Sequence, residues 1–263
     1  MKIGVIASGV DMLYIFRILQ KFDFEYMIYW DWNNGYYSDK GFPYSFEKAK
    51  IGIDFLKNKG ADKVILPPIY ELYSLDDEVV LPLFRDYMLD VLTYSLVGKI
   101  GFLGDISDFE YFDEKFYDLT QNFQLTKNQK NISKFNFPFA IWKKQVVMWK
   151  YFLSNLSFRS WMINKLVKYD LRYFKDASVD TIIPLNYGYF AYTRNIKNRL
   201  NFNKIRFHGI DKLEKIFSNL VSDYQQNFYD INVYTNGIFD FVLEDKRWNM
   251  MLSRGKKVDI KIH

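Results

Sequence analysis

Asn186, Tyr187 and Gly188 stand where an apolar run stops and a helical pattern begins. The run is Thr181 to Leu185, introduced by Val179-Asp180. It reads as a strand buried on both faces, as in a parallel sheet. In an open α/β sheet, ligands sit in the crevice beyond the carboxyl ends of the strands. An amide and a phenol there could donate and accept hydrogen bonds, but neither is a base near neutral pH. Taken alone, the stretch is best explained as a plain β–α turn in which Gly188 allows a tight bend. What it cannot be is a thiol centre, since the 263-residue chain has no cysteine, and with only two histidines, His208 and His263, a His-based metal site is not expected. Disulfides, thiolate nucleophiles and cysteine–metal sites are therefore excluded.

The elements that must position such a site alternate. Lys2 to Ala7 is a short strand, followed by Ser8-Gly9 and a helix expected over Asp11 to Lys21. Phe24 to Trp30 is a second strand, and Asp31 to Ser38 is rich in turn formers. Ser45 is the expected N-cap of a helix carrying Phe46, Ala49, Ile53 and Leu56, with Gly60 as its C′ glycine. Lys63 to Leu66 is a third strand, stopped by Pro67-Pro68. A helix is expected over Asp77 to Leu96, with Pro82 in its first turn, then a strand from Lys99 to Leu103. Residues 109–150 show no clear period. Helices are expected over Phe158–Phe174, Tyr189–Leu200, Asp211–Gln226 and near Phe239–Ser253, with strands at Thr181–Leu185, Lys204–His208, Asn232–Thr235 and Val258–Ile262. Strands alternating with helices predict parallel α/β architecture, with two sheets.

Composition narrows the function classes. Apolar residues make up 49% and charged residues 25%, which suits a chain that buries a real core. The 20% aromatic content reads as compositional bias. A net charge of +5 is mildly basic, and its densest clusters are Lys127 to Lys134 and Arg254 to Lys257. No basic stripe interleaving with aromatics is evident, so no nucleic-acid partner is expected. No apolar run reaches the ~18–20 residues that span a bilayer, so no membrane partner is expected. Residues 1–10 fit a strand and turn better than a signal peptide, and the expected location is cytoplasmic.

Six segments, in order and spacing, resemble the aspartate/glutamate racemase superfamily, and glutamate racemase most closely. Ile3-Gly-Val-Ile-Ala-Ser-Gly9 resembles the family's opening strand ending Asp-Ser-Gly. Asp31 to Lys40 is similar to its Asp-x-x-x-x-Pro-Tyr-Gly loop, with Tyr37 at the tyrosine. Gly60 to Pro68 resembles the strand leading to the first Cys-Asn-Thr, and Ile100 to Asp105 the strand leading to paired threonines. Val179 to Phe190 is similar to Val-Asp-Thr-(apolar)-Gly-Cys-Thr-His-Tyr-Pro. Asn232 to Gly237 is similar to the closing Tyr-Thr-x-Gly-Asp segment. The resemblance implies two α/β lobes with the substrate between them, here residues 1–97 with 209–263, and residues 98–208. It implies no cofactor.

The resemblance also implies inversion of an amino acid's α-carbon by two thiols on opposite faces. Here the first cysteine position is Pro68 and the second is Asn186. The assisting aspartate is Ala7, and the histidine after the second cysteine is Gly188. Asp105 and Asp108 stand near the threonine positions. Two carboxylates ~4 Å from a substrate carboxylate repel it by on the order of 1–4 kcal/mol each, depending on dielectric. The polar groups left in the implied cleft are Ser8, Asp31, Asn33, Asn34, Tyr37, Tyr70, Glu71, Asp105, Asp108, Asn186, Tyr187 and Tyr189. Ser8 is expected to be a cap rather than an anion site. Glu71, Asp105 and Asp108 are expected to be solvated loop carboxylates rather than a metal site. Tyr70 and Tyr187 are expected to fill the vacated pocket with rings.

Three classes stay open. The first, and the reading favoured, is a non-catalytic relative that binds a protein partner or serves as a folded module, with a homodimer open as its assembly. The second is an enzyme of replaced, carboxylate-based chemistry using Asp31, Glu71 or Asp105. The third is a sensor for an amine or cation.

Overall fold

The computed structural model describes residues 1–121, 139–154, 161–200, 205–226, 228–237, 250–252, 254 and 259–262. Two parallel sheets carry them. The first has five strands in the order β3-β1-β2-β8-β9. These are β1 (Lys2–Ala7), β2 (Glu25–Trp30), β3 (Lys63–Ile65), β8 (Asp230–Thr235) and β9 (Asp259–Ile262). The second has four strands in the order β5-β4-β6-β7, namely β4 (Lys99–Gly104), β5 (Ala140–Gln145), β6 (Thr181–Pro184) and β7 (Arg206–Phe207). Every strand pairing in both sheets is parallel. The central strands are unbroken apolar runs because helices cover both of their faces: in β1 only Lys2 is exposed, and all of β6 is buried.

Helices link the strands. In order they are α1 (Val10–Leu13), α2 (Phe16–Leu19), α3 (Phe42–Asn58), α4 (Pro68–Tyr73), α5 (Leu83–Leu92), α6 (Ile106–Thr120), α7 (Val147–Ser154), α8 (Trp161–Asp176), α9 (Thr193–Leu200) and α10 (Ile210–Leu220). Gly60 has φ +86 directly after the last turn of α3, as its C′ role requires.

Several boundaries differ from the sequence reading. The helix expected over 11–21 is two short segments, α1 and α2. Their junction is held by three-residue bonds, Tyr14 N to Asp11 O and Ile15 N to Met12 O, which tighten the turn. Ser45 is not an N-cap. It lies inside α3, completely buried, and its hydroxyl donates to Tyr37 O. Pro43 sits in the first turn instead, where its missing N–H costs nothing. The helix expected from Asp77 begins only at Leu83, because Pro82 is its N-cap and Val80 is drawn into a bridge with Val64. The helix expected from Tyr189 opens as a 3-10 turn, Tyr187–Tyr192, before α9. The unreadable 109–150 stretch contains most of α6, β5 and the start of α7. Of the helix expected near 239–253, residues 239–249 and 253 lie outside the described residues, and 250–252 are helical. No helix among the described residues is long and apolar enough to cross a membrane.

Candidate functional site

The carboxyl ends of β1, β3 and β6 release Ser8, Pro67-Pro68 and Asn186 into the lining of one crevice between the two sheets, while Asp31 and Asp105, after β2 and β4, bond to its lining residues Tyr37 and Asp108. Asn186 is extended (φ −145) and caps the 3-10 turn, its Oδ1 accepting from Gly188 N at 2.8 Å. Its Nδ2 donates to Asp11 Oδ2 of α1, in the facing lobe, at 2.5 Å. The amide thus uses its acceptor within its own turn and one of its donors across the crevice. Burial pushes the Asp11 carboxyl above its ordinary value, while Asn186 and the Lys150 charge pull it back down.

Asp105 and Asp108 are buried, not solvated as the sequence suggested, with 3% and 6% of their surface exposed. They form a capping box for α6: the Asp105 side chain accepts from the Asp108 N–H, and Asp108 Oδ2 accepts from Asp105 N at 2.9 Å. Burial, with Asp105 and Asp11 nearby, pushes Asp108 up to about 8. The counter-charge is Lys150 of α7, whose Nζ meets Asp105 Oδ2 at 3.1 Å and Asp39 Oδ1 at 2.5 Å and lies 4.8 Å from the Tyr36 ring. Burial alone would lower Lys150, but the Asp105 and Asp39 carboxylates outweigh it and hold the ammonium above its usual value. Tyr189 is fully buried against the indole of Trp149 at 5.7 Å, and its hydroxyl points to Asp105 at 3.4 Å.

Glu71 is also not solvated, with no exposed surface. Its carboxyl closes the N-terminus of α5, accepting from Phe84 N at 2.9 Å and Arg85 N at 2.8 Å. Tyr187 donates to it at 3.2 Å from the other lobe. Burial pushes Glu71 up to about 8. Asp31 is likewise engaged, accepting from Tyr37 Oη at 2.8 Å, Asn34 Nδ2 at 2.7 Å and Asn236 Nδ2 at 2.6 Å. Asn33 is held by Asn236, which accepts its backbone N–H. Ser8 is not the cap of the helix that follows it, whose N-cap is Gly9 with no side-chain bond; its Oγ instead accepts from Tyr37 N at 3.0 Å, 29 positions along the chain.

The carboxylates Asp31, Glu71 and Asp105, together with Asp11, Asp108 and Asn186, therefore bond mainly to other parts of the chain. The space they leave is a cavity of ≈20 Å³ lined by Ser8, Asp11, Tyr37, Pro68, Tyr70, Asp108 and Asn186, among others. That is room for about one water molecule. The Tyr70 ring closes one side, stacked on Phe42 at 5.4 Å and edge-on to Tyr37 at 5.6 Å. Tyr187 does not fill this gap. Its ring turns toward Phe84 and its hydroxyl toward Glu71, so it seals the seam beside the crevice instead. Among the described residues, no group of three or more His, Cys, Asp and Glu is arranged to hold a metal ion.

Sequence reasoning missed Asp11, Lys150 and Asp39. Asp11 could have been noticed as a charge interrupting an apolar run just past a strand end. Lys150 gave no local signal. Gly188 is required by close approach: a Cβ there would lie 2.9 Å from Asp11 Cβ, 3.0 Å from Asp11 Cα and 2.3 Å from Leu153 Cδ2. Gly188→Ala is expected to destabilise the fold by about 1–3 kcal/mol through overpacking. Thermal unfolding checks this, and an unchanged midpoint would mean that the lobes separate freely at this point.

The two lobes, each a parallel sheet covered by helices and meeting at the carboxyl ends of their strands, define a two-lobed α/β protein with a crevice site. More particularly, the fold is that of glutamate racemase. Over 100% of this chain and 97% of the other, it is similar to glutamate racemase from Francisella tularensis in complex with D-glutamate, with a TM-score of 0.75 and 13% identity. The Thermus thermophilus enzyme in complex with beta-chloro-D-alanine matches at TM-score 0.73 and 13% identity, covering 100% and 96% of the two chains. The Aquifex pyrophilus enzyme matches at 0.64 and 19%, covering 99% and 98%. No family model matches the sequence, and no curated protein matches it.

Proposed function

We propose that this chain is a glutamate racemase-like protein without racemase chemistry, acting as a binding or interaction protein and not as a catalyst. One observation carries the proposal: Asn186, at the position of the family's second thiol, is hydrogen-bonded to Asp11 across the crevice, beside a cavity of ≈20 Å³ lined by described residues of both lobes. Small-molecule sites ordinarily offer ~300–1,000 Å³. Pro68, at the first thiol position, has neither a titratable group nor an N–H. A division into residues 1–97 with 209–263 and residues 98–208 belongs to the same proposal and is supported by the membership of the two sheets.

The test is racemisation of glutamate and aspartate followed by circular dichroism with purified protein. No inversion is expected, nor from Pro68→Cys combined with Asn186→Cys, because the gap beside both positions stays too small for an amino acid. Inversion by the unaltered protein would overturn the proposal. Inversion by the double variant would show the rest of the site to be intact. A second reading, carboxylate-based isomerisation, draws support from Asp108, pushed up to about 8 beside the residual cavity. Under that reading, turnover would be present in the unaltered protein and abolished by Asp108→Asn.

A further inference from the structure

The outward face of α8 interleaves cations with aromatic rings, a pattern not evident in the linear sequence. Its inward face, Ile163, Val167, Leu171 and Phe174, is completely buried. Its outward face brings Lys165, Lys168, Tyr169, Arg172 and Lys175 around a shallow groove of ≈420 Å³. Tyr169 is 73% exposed and Trp161, one turn before Lys165, is 65% exposed. Lys165 Nζ lies 4.3 Å from the Trp161 ring, and Lys144 Nζ lies 5.6 Å from the Tyr169 ring. An ordinary solvated helix face mixes both signs at i,i+4. Here the one exposed acid of α8 is Asp176 at its last position, 3.6 Å from Arg172. The adjoining α9, tied to α8 by Asn195 and Asn164 at 2.8 Å, adds the exposed Arg194 and Lys197.

We propose that the α8 face is a docking site for a single-stranded nucleic acid. Lys165, Lys168, Arg172 and Lys175 follow one another along the axis at steps of about 4.5–6 Å, given a rise of 1.5 Å per residue. That array can track the phosphates of one strand, while the exposed rings offer stacking faces to its bases. A lipid surface is the poorer partner. A membrane-bound amphipathic helix inserts its apolar face, and the apolar face of α8 is already in the core. The site lies away from the crevice and does not depend on the proposal made for it.

Fluorescence anisotropy of the full chain with a labelled twelve-residue oligothymidylate in 50 mM salt tests this. Saturable binding is expected, with a log–log salt slope of about −2 to −3 for three or four phosphates neutralised at ~0.7 each. Lys165→Gln with Lys168→Gln and Arg172→Gln should weaken binding at least tenfold and remove about two units of that slope. Lys168→Gln alone should remove about 0.7 of the slope. Tyr169→Ala should weaken binding about 5- to 150-fold with the slope unchanged. Lys2→Gln with Lys21→Gln, on the other lobe, should change nothing. The proposal is overturned by no binding at 50 mM salt or by full binding in the triple variant. It is equally overturned by tighter binding to duplex DNA, to phosphatidylserine vesicles or to polyglutamate than to the single strand.

Discussion

Lys150→Met is expected to cost about 3–5 kcal/mol, lowering the unfolding midpoint by roughly 6–20 °C for a chain of this size. The magnitude follows from what the substitution leaves behind. Asp105 is 3% exposed and loses its cation while Asp108 and Asp11, at 6% and 7%, remain close. Breaking a buried pair from one side strands a charge, whereas removing both partners is often near neutral. Lys150→Met combined with Asp105→Asn should therefore be more stable than Lys150→Met alone, a positive coupling visible in a double-mutant cycle. Asp39 is the contrasting partner. Its side chain is 56% exposed, so Asp39→Ala should cost under about 1 kcal/mol despite its shorter contact with Lys150. Chemical denaturation of the unaltered chain, Lys150→Met, Asp105→Asn, the double variant and Asp39→Ala measures all five proteins. A Lys150→Met cost below about 1 kcal/mol would mean that water reaches Asp105.

The core strands could be read from the sequence because a parallel strand buried on both faces is a continuous apolar word. β1, β2, β4 and β6 are such words. β5 was missed for the converse reason: Ala140–Gln145 is an edge strand carrying Lys143 and Lys144, half-buried along most of its length, so neither alternation nor an apolar run marks it. α7 follows it and was lost with it. Proline misled at the other extreme. Pro82 was accommodated inside a longer helix when the chain uses it as the boundary.

Much less of the site was legible. Strand ends pointed to Asp31, Asp105 and Asn186, yet not to their burial, because a turn residue's exposure depends on what the opposite lobe brings over it. The Asp105-x-x-Asp108 spacing before an amphipathic run is a capping-box pattern and was readable in principle. The partners were not. Lys150 lies 45 positions from Asp105, and Asn186 lies 175 from Asp11. Such contacts are products of the folded topology. The absence of cysteine was visible at once, while the small volume of the cavity beside Asn186 is a consequence of packing that composition does not encode.

Stability is expected to fall as pH rises from 6.5 to 9, the reverse of the usual acid sensitivity of carboxylates. Glu71 and Asp108 are each pushed up to about 8 by burial, from ordinary values of 4.5 and 3.8. Between the ordinary and raised values the folded chain holds protons that the unfolded chain has released. Stability then decreases with pH, because its slope follows protons bound unfolded minus protons bound folded. The contribution is complete below about 4 and is lost as pH passes through about 8. His208, lowered chiefly by burial, acts only below its ordinary 6.5, outside this window. One pKa unit is worth 1.36 kcal/mol. Allowing for relaxation around the ionised groups, a combined loss of about 2–4 kcal/mol is expected, or roughly 4–16 °C in the midpoint. Asp108→Asn separates the two groups. The amide oxygen can still accept from Asp105 N, so this variant should keep its stability near pH 7 and lose about half of the pH slope. Glu71→Gln should also flatten the slope, but at a cost of about 1–3 kcal/mol at every pH. The amide would set an N–H donor against one of the two backbone N–H groups of Phe84 and Arg85 that the carboxyl now accepts. Calorimetric unfolding of the three proteins at pH 6.5, 8 and 9 provides the comparison. A midpoint independent of pH in the unaltered chain would place both carboxyls in contact with water and remove the physical basis for a sealed crevice.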